Sequence, residues 1–176
     1  MSELKIFAKQ PITEEMIEFL VATTNLVIQV KTQKFTLMGD LYVAKTRVLL
    51  TTFIKRLIKY LNVQTATLMA TLIYLNKLRN VLPANAVGME TTRHRIFLAA
   101  LILLAKLLND LSPLNKHWTK YTDGLLLLSE VNMAEREMIA MLNWDVTIKE
   151  DELKVALQPF LCRINQQLVR QKRDEL

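Results

Sequence analysis

Nine consecutive residues, Phe97 to Ala105 (FLAALILLA), carry no polar side chain, and Lys106 alone separates them from Leu107 and Leu108. A helix that is apolar on every side has to be surrounded by other elements. The whole apolar run, Ile96 to Leu108, contains a lysine and falls short of the ~20 residues that a bilayer requires. It is therefore expected to be the central helix of an all-α bundle. The rest of the chain fits this expectation. Three glycines and four prolines in 176 residues mark few chain reversals, which suits helices better than many short strands. Hydrophobic residues make up 51 % of the chain, enough to build a large core.

The helices are read from spacing and stop signals. Thr13, Glu14 and Glu15 mark a first helix running to about Ile28, with Thr13 as cap and Ile12 placed to staple onto Ile17. A mixed connection with a Gly39-Asp40 turn extends from Lys31 to Lys45. From Val48, the residues Leu49, Leu50, Phe53, Ile54, Leu57, Ile58 and Leu61 form one apolar stripe. Thr65 is placed to cap the next helix, which carries Leu68, Met69, Leu72, Ile73, Leu75 and Leu78. A turn from Pro83 to Gly88 follows, and Thr92 is placed to cap the central helix, Arg93 to about Asn109. Pro113 starts a short helix ending near Tyr121 to Gly124. The fifth helix places Val131, Ala134, Met138, Met141 and Leu142 on one face. A start near Ser129 suits that stripe better than a capping box on Asn132, and leaves Glu135 on a mid-helix face. A last helix from about Lys149 is expected to kink at Pro159. The expected division is an N-terminal helix and connection (1–46), a five-helix unit (47–146), and a C-terminal helix with a basic tail (147–176).

The chemistry-bearing residues are sparse. Cys162 stands alone, so no internal disulfide forms, and His94 and His117 do not complete a zinc site. Neither histidine has a partner at ligand spacing, and both are expected in surface or packing roles. Ser112, Cys162 and the acids make no triad or paired-carboxylate pattern, and no glycine-rich phosphate loop occurs. No catalytic residue, cofactor or metal is expected. Trp118 and Trp144 are expected to pack. The C-terminal Arg173-Asp174-Glu175-Leu176 resembles a retrieval tail of the endoplasmic reticulum, but no basic-then-apolar leader is seen, and the nucleus and/or cytoplasm is expected instead. Net charge is +6, which admits nucleic acid or an acidic protein surface as partner. The basic residues, among them Lys55, Arg56, Lys59, Lys77, Arg93, Arg95 and Lys120, are scattered and read as solvated helix faces.

Four stretches taken together resemble a known family. They are NVQTATLMATLIYLNKL from Asn62, TTRHRIFLAALILLAKLLND from Thr91, SPLNKHW from Ser112 and EVNMAEREMIAMLNWDV from Glu130. In order and content they are similar to a single five-helix cyclin box of the fungal PCL type. The resemblance implies a non-catalytic, activating subunit of a cyclin-dependent kinase. Such a box docks against the kinase helix that bears the active-site glutamate and repositions the activation segment. By resemblance Lys106 and Glu135 are the kinase-binding lysine and glutamate, reaching backbone groups beside that helix. Glu137 is a further kinase-binding candidate, as the acidic partner of a kinase arginine. Without the family, Lys106 reads as a side chain snorkelling at a helix C-terminus.

There are departures. Asn76 stands where many cyclins have an aspartate, with Arg47 near the position of its arginine partner. The apolar docking patch of cell-cycle cyclins is not recognisable on the first helix of the box. Too few residues follow Val146 for a second box, so a single box is expected. That weighs against the alternative of a cyclin-fold nucleic-acid-binding factor, which typically carries two. A third reading is a helical adaptor that binds without activating. A kinase catalytic subunit is the expected partner; nucleic acid and membrane are not.

Overall fold

In the computed structural model, which describes residues 2–31, 48–109 and 111–176, the apolar run forms the middle of helix α5 (Thr92–Leu108). Every residue from Phe97 to Ala105 is buried. Around it lie α1 (Glu3–Lys9), α2 (Glu14–Val27), α3 (Leu50–Leu61), α4 (Thr65–Val81), α6 (Asn115–Lys120), α7 (Leu128–Met141), α8 (Glu150–Ala156) and α9 (Gln158–Asp174). The only strands among the described residues, β1 (Gln29–Val30) and β2 (Val87–Gly88), form one short parallel pair. Gly88 is required there, because a Cβ would meet the Thr92 side chain at 2.7 Å.

α5 packs mainly against α4 and α7, and α2 packs chiefly on α4 while also reaching α3 and α5. α4 shares the centre, with every residue from Thr67 to Leu75 buried. Its threonines blur the apolar pattern, yet Thr71 costs little. Its hydroxyl donates to the Leu68 carbonyl (2.6 Å), just as Thr24 of α2 donates to Leu20 (2.7 Å). Tyr74 brings its phenol to the Val146 carbonyl at 2.5 Å. Burial, with Asp145 nearby, pushes its pKa up to about 12.

Several local expectations are corrected. Thr13 does cap α2, accepting from Met16 N at 3.3 Å. Thr65, by contrast, lies inside α4 and donates to the Gln10 carbonyl (2.6 Å), tying the α1–α2 link to the bundle. Thr92 is the first residue of α5, and its hydroxyl accepts from Met89 N (2.8 Å) instead of closing the helix from outside. Pro113 precedes α6, and its carbonyl accepts from the Trp118 indole (3.2 Å). Pro159 bends no helix. It sits in the first turn of α9, where its missing N–H has no cost, and Leu157 separates α8 from α9. Arg93 is no solvated residue. Its guanidinium donates to the carbonyls of Asn25 (3.1 Å) and Ile28 (2.9 Å), at the end of α2 where carbonyls lack helical partners.

α1, absent from the expected elements, packs on α9 and α4. Phe160 of α9 meets Phe7 and Phe19 at ring-centroid distances of 5.7 and 5.4 Å. Near them Arg163 grips Glu15 through two 2.6 Å contacts, a bidentate geometry that fixes orientation. The expected packing role holds for Trp118, which is buried, but not for Trp144, which is 78 % exposed. The chain leaves α7 through two left-handed residues, Asn143 (φ 51°) and Trp144 (φ 61°). The Tyr74 bond draws Val146 inward while the indole is turned out. Arg47 and the Lys31–Lys45 connection, with its Gly39-Asp40 turn, lie outside the described residues except for Lys31, whose N–H bonds to the Gly88 carbonyl.

Candidate functional site

The last turn of α5 emerges from the core. Ala105 is buried, whereas Lys106, Leu107 and Leu108 are exposed. Lys106 reaches across to α7, and its Nζ donates to Glu135 Oε1 at 2.6 Å. The lysine side chain is 42 % exposed and the glutamate 12 %. α7 begins at Leu128, and its first-turn glutamate is Glu130, which accepts from Leu127 N (3.1 Å). Glu135 is therefore a mid-helix residue with no capping duty, as the earlier helix start requires.

Two further residues complete the site. Asn115 opens α6, and its Nδ2 donates to Glu135 Oε2 (2.6 Å) and to Asn132 Oδ1 (2.8 Å). Both oxygens of Glu135 are thereby held by fixed donors from two other helices. Sequence reasoning missed Asn115 in this role, although it lies within SPLNKHW, and it treated Asn132 only as a possible cap. Helical spacing offers the one available signal, since Asn132 and Glu135 are three apart and share a face of α7. Leu114 and Leu128 are exposed beside this network. A groove of about 540 Å³ beside it is lined by Lys106, Asn115 and Asn132 together with Leu114 and Leu128.

Glu137 does not join this cluster. It is two residues from Glu135, about 200° around the helix, and lines a different groove with Arg95 and Met141. Asn76 is exposed and lines a cleft between α4 and α8, where neighbouring Lys77 lies 3.9 Å from Asp145 and 4.0 Å from Glu152. His94 is buried, its Nε2 2.6 Å from the Val48 carbonyl, and burial holds its pKa below the ordinary histidine value. His117 is exposed. Among the described residues no group of histidines, cysteines and acids is arranged to hold a metal, and no helix is long and apolar enough to cross a membrane.

A helical layer wrapped around one apolar helix, with a lysine–glutamate pair at its lip, is the arrangement of a cyclin box. The family described as "Cyclin, N-terminal domain" matches residues 15–147, and the chain belongs to it. Within that family it is a cyclin of the fungal PCL type. It is 53 % identical to PHO85 cyclin-2 of Saccharomyces cerevisiae over 96 % of its length, and 48 % identical to PHO85 cyclin-9 over 97 %. It is 45 % identical to PHO85 cyclin-1 of the same organism over 95 %. These relatives are longer: the matches cover 54, 54 and 60 % of them, so the chain spans a little over half the length of the curated relatives it matches.

Proposed function

We propose that this chain is a non-catalytic regulatory subunit. It binds a cyclin-dependent protein kinase, of the kind for which the PHO85 cyclins are named, and orients that kinase's active-site helix and activation segment. One observation carries the reading: a preorganised Lys106–Glu135 pair with bonding capacity to spare. An ammonium has three N–H donors and a carboxylate about four acceptor sites. Among the described residues one donor and two acceptor sites are engaged. The rest suits free backbone groups at the end of another protein's helix. The surrounding leucines supply apolar area, and the buried middle of α5 holds the pair still.

Glu137 is proposed as a further kinase contact, the acidic partner of a kinase arginine near the activation segment. Nucleic acid is not the partner in this reading. Basic residues are engaged one by one, Lys55 with Glu14, Arg163 with Glu15 and Arg93 with the end of α2. The place of action proposed with it is the nucleus and/or cytoplasm.

The test is phosphotransfer by a kinase of that class with and without the chain. Stimulation is expected, with no phosphotransfer by the chain alone. The double substitution Lys106→Ala with Glu135→Ala is expected to weaken association while thermal unfolding shifts little. A double variant that binds and activates like the parent removes the site assignment. No stimulation across a panel of cyclin-dependent kinases leaves a helical adaptor.

A further inference from the structure

On the opposite flank of α7 from Glu135, a groove of about 150 Å³ opens between α7, the N-terminal turns of α5 and the end of α4. It is lined by Ile96, Met133, Met138 and Met141, with Arg95 and Glu137 among its charged residues. A space of this size accepts one ring-sized or branched apolar side chain. Methionine is unbranched and polarizable, so such a lining adapts to varied occupants. Met133 and Met141 remain substantially exposed, leaving apolar area on offer at the surface.

The charges are as informative as the methionines. Glu137 has no hydrogen-bond or ion-pair partner among the described residues. Among the described residues Arg95 makes one long bond, Nη2 to Thr92 Oγ1 at 3.3 Å, and its Nε is sealed from solvent with no acceptor there. Glu130 also lines the groove, so two carboxylates face one guanidinium on a chain whose net charge is +6. The groove therefore attracts a cation where the molecule as a whole repels one.

We propose that this groove docks a linear peptide segment, seating one leucine-sized apolar side chain among the methionines and a neighbouring lysine or arginine against Glu137. The surface is separate from the Lys106–Glu135 pair, and at Glu137 a seated peptide competes with the kinase arginine proposed above. Arg95 and Lys106 are eleven residues apart on α5, roughly 16 Å along its axis, and Glu135 and Glu137 face opposite ways. Either site can fail without the other.

The probe is a fluorescein-labelled nonapeptide with one leucine followed by two lysines in a glycine–serine background, titrated against the whole chain by fluorescence polarisation. Saturable binding is expected. It should weaken at least about tenfold when the peptide's leucine becomes serine, and by a similar factor in the chain variant Glu137→Lys. Met133→Ser should also weaken it, and Lys106→Ala should leave it unchanged. Glu137 and Met133 are exposed, so melting curves of both variants should match the parent and separate lost binding from lost fold. Absence of saturable binding overturns the proposal. So does equal affinity for the leucine-free peptide, or full binding by Glu137→Lys. Sedimentation showing a dimer that Glu137→Lys dissociates would overturn it in favour of a second copy of this chain.

Discussion

The two flanks of α7 are built from the same helix and solve opposite problems. On one, Glu135 and Asn132 are wired to Lys106 and Asn115 from two neighbouring helices. On the other, Glu137 and Arg95 face a methionine-lined groove without a carboxylate–guanidinium bond between them. Preorganisation reduces the ordering cost of binding and favours one geometry. Unpaired charge over adaptable apolar lining favours tolerance instead. Residues two apart in a helix, both acidic, thus meet different surroundings because helical geometry points them at different neighbours.

Both flanks rest on the middle of α5, so the largest effect comes from removing their common support. Leu101→Ala truncates a wholly buried side chain. It should lower stability by about 2–5 kcal/mol in urea unfolding and weaken both flanks together. Next comes the pair itself. Lys106→Ala with Glu135→Ala should reduce kinase association by about 10- to 100-fold in a binding titration, leaving the peptide groove untouched. Equal losses on both flanks would show that they are one surface.

A smaller effect concerns Tyr74, which fixes the chain leaving α7. Its folded pKa of about 12 lies above the ordinary tyrosine value of 10.0. Below pH ~10 the phenol is neutral in both states. Above that, the unfolded chain ionises first and binds fewer protons, so stability falls as pH rises towards the folded value. At pH ~11 the loss attributable to this group is about 1 kcal/mol. Comparing denaturant midpoints of the parent and Tyr74→Phe across pH ~9 to about 12 should show a steeper decline in the parent. Parallel declines would remove Tyr74 as the cause. The smallest effect belongs to the wired flank: Asn115→Ala should weaken kinase association by about threefold, since Glu135 keeps Lys106 but loses one orienting donor. An unchanged affinity would show that Lys106 alone orients the carboxylate.

Much of this was legible in the sequence, for identifiable reasons. The all-apolar α5 announced its burial, and the spacing of Leu50, Phe53, Ile54 and Leu57 announced α3, because burial writes a period into the chain. Lys106 and Glu135 were nameable through a resemblance, and their adjacency followed from the packing of α5 on α7. What stayed hidden depended on partners distant in sequence or on the competing bonds of a local turn. Thr65 and Thr92 looked like caps because threonine often is one. Their hydroxyls instead found Gln10 and Met89. Arg93 looked like a surface charge until the end of α2 came to rest beside it. Asn115 gave no local sign of its role, since its two acceptors lie on another helix. Met141 fitted the apolar stripe of α7, but that stripe is wider than the core it covers, and the surplus became the groove.

The clasp between Glu15 and Arg163 joins residues 148 positions apart. Whatever α1 and α2 have already packed against, the sides of Phe7 and Phe19 that meet Phe160 stay uncovered during synthesis until α9 has emerged.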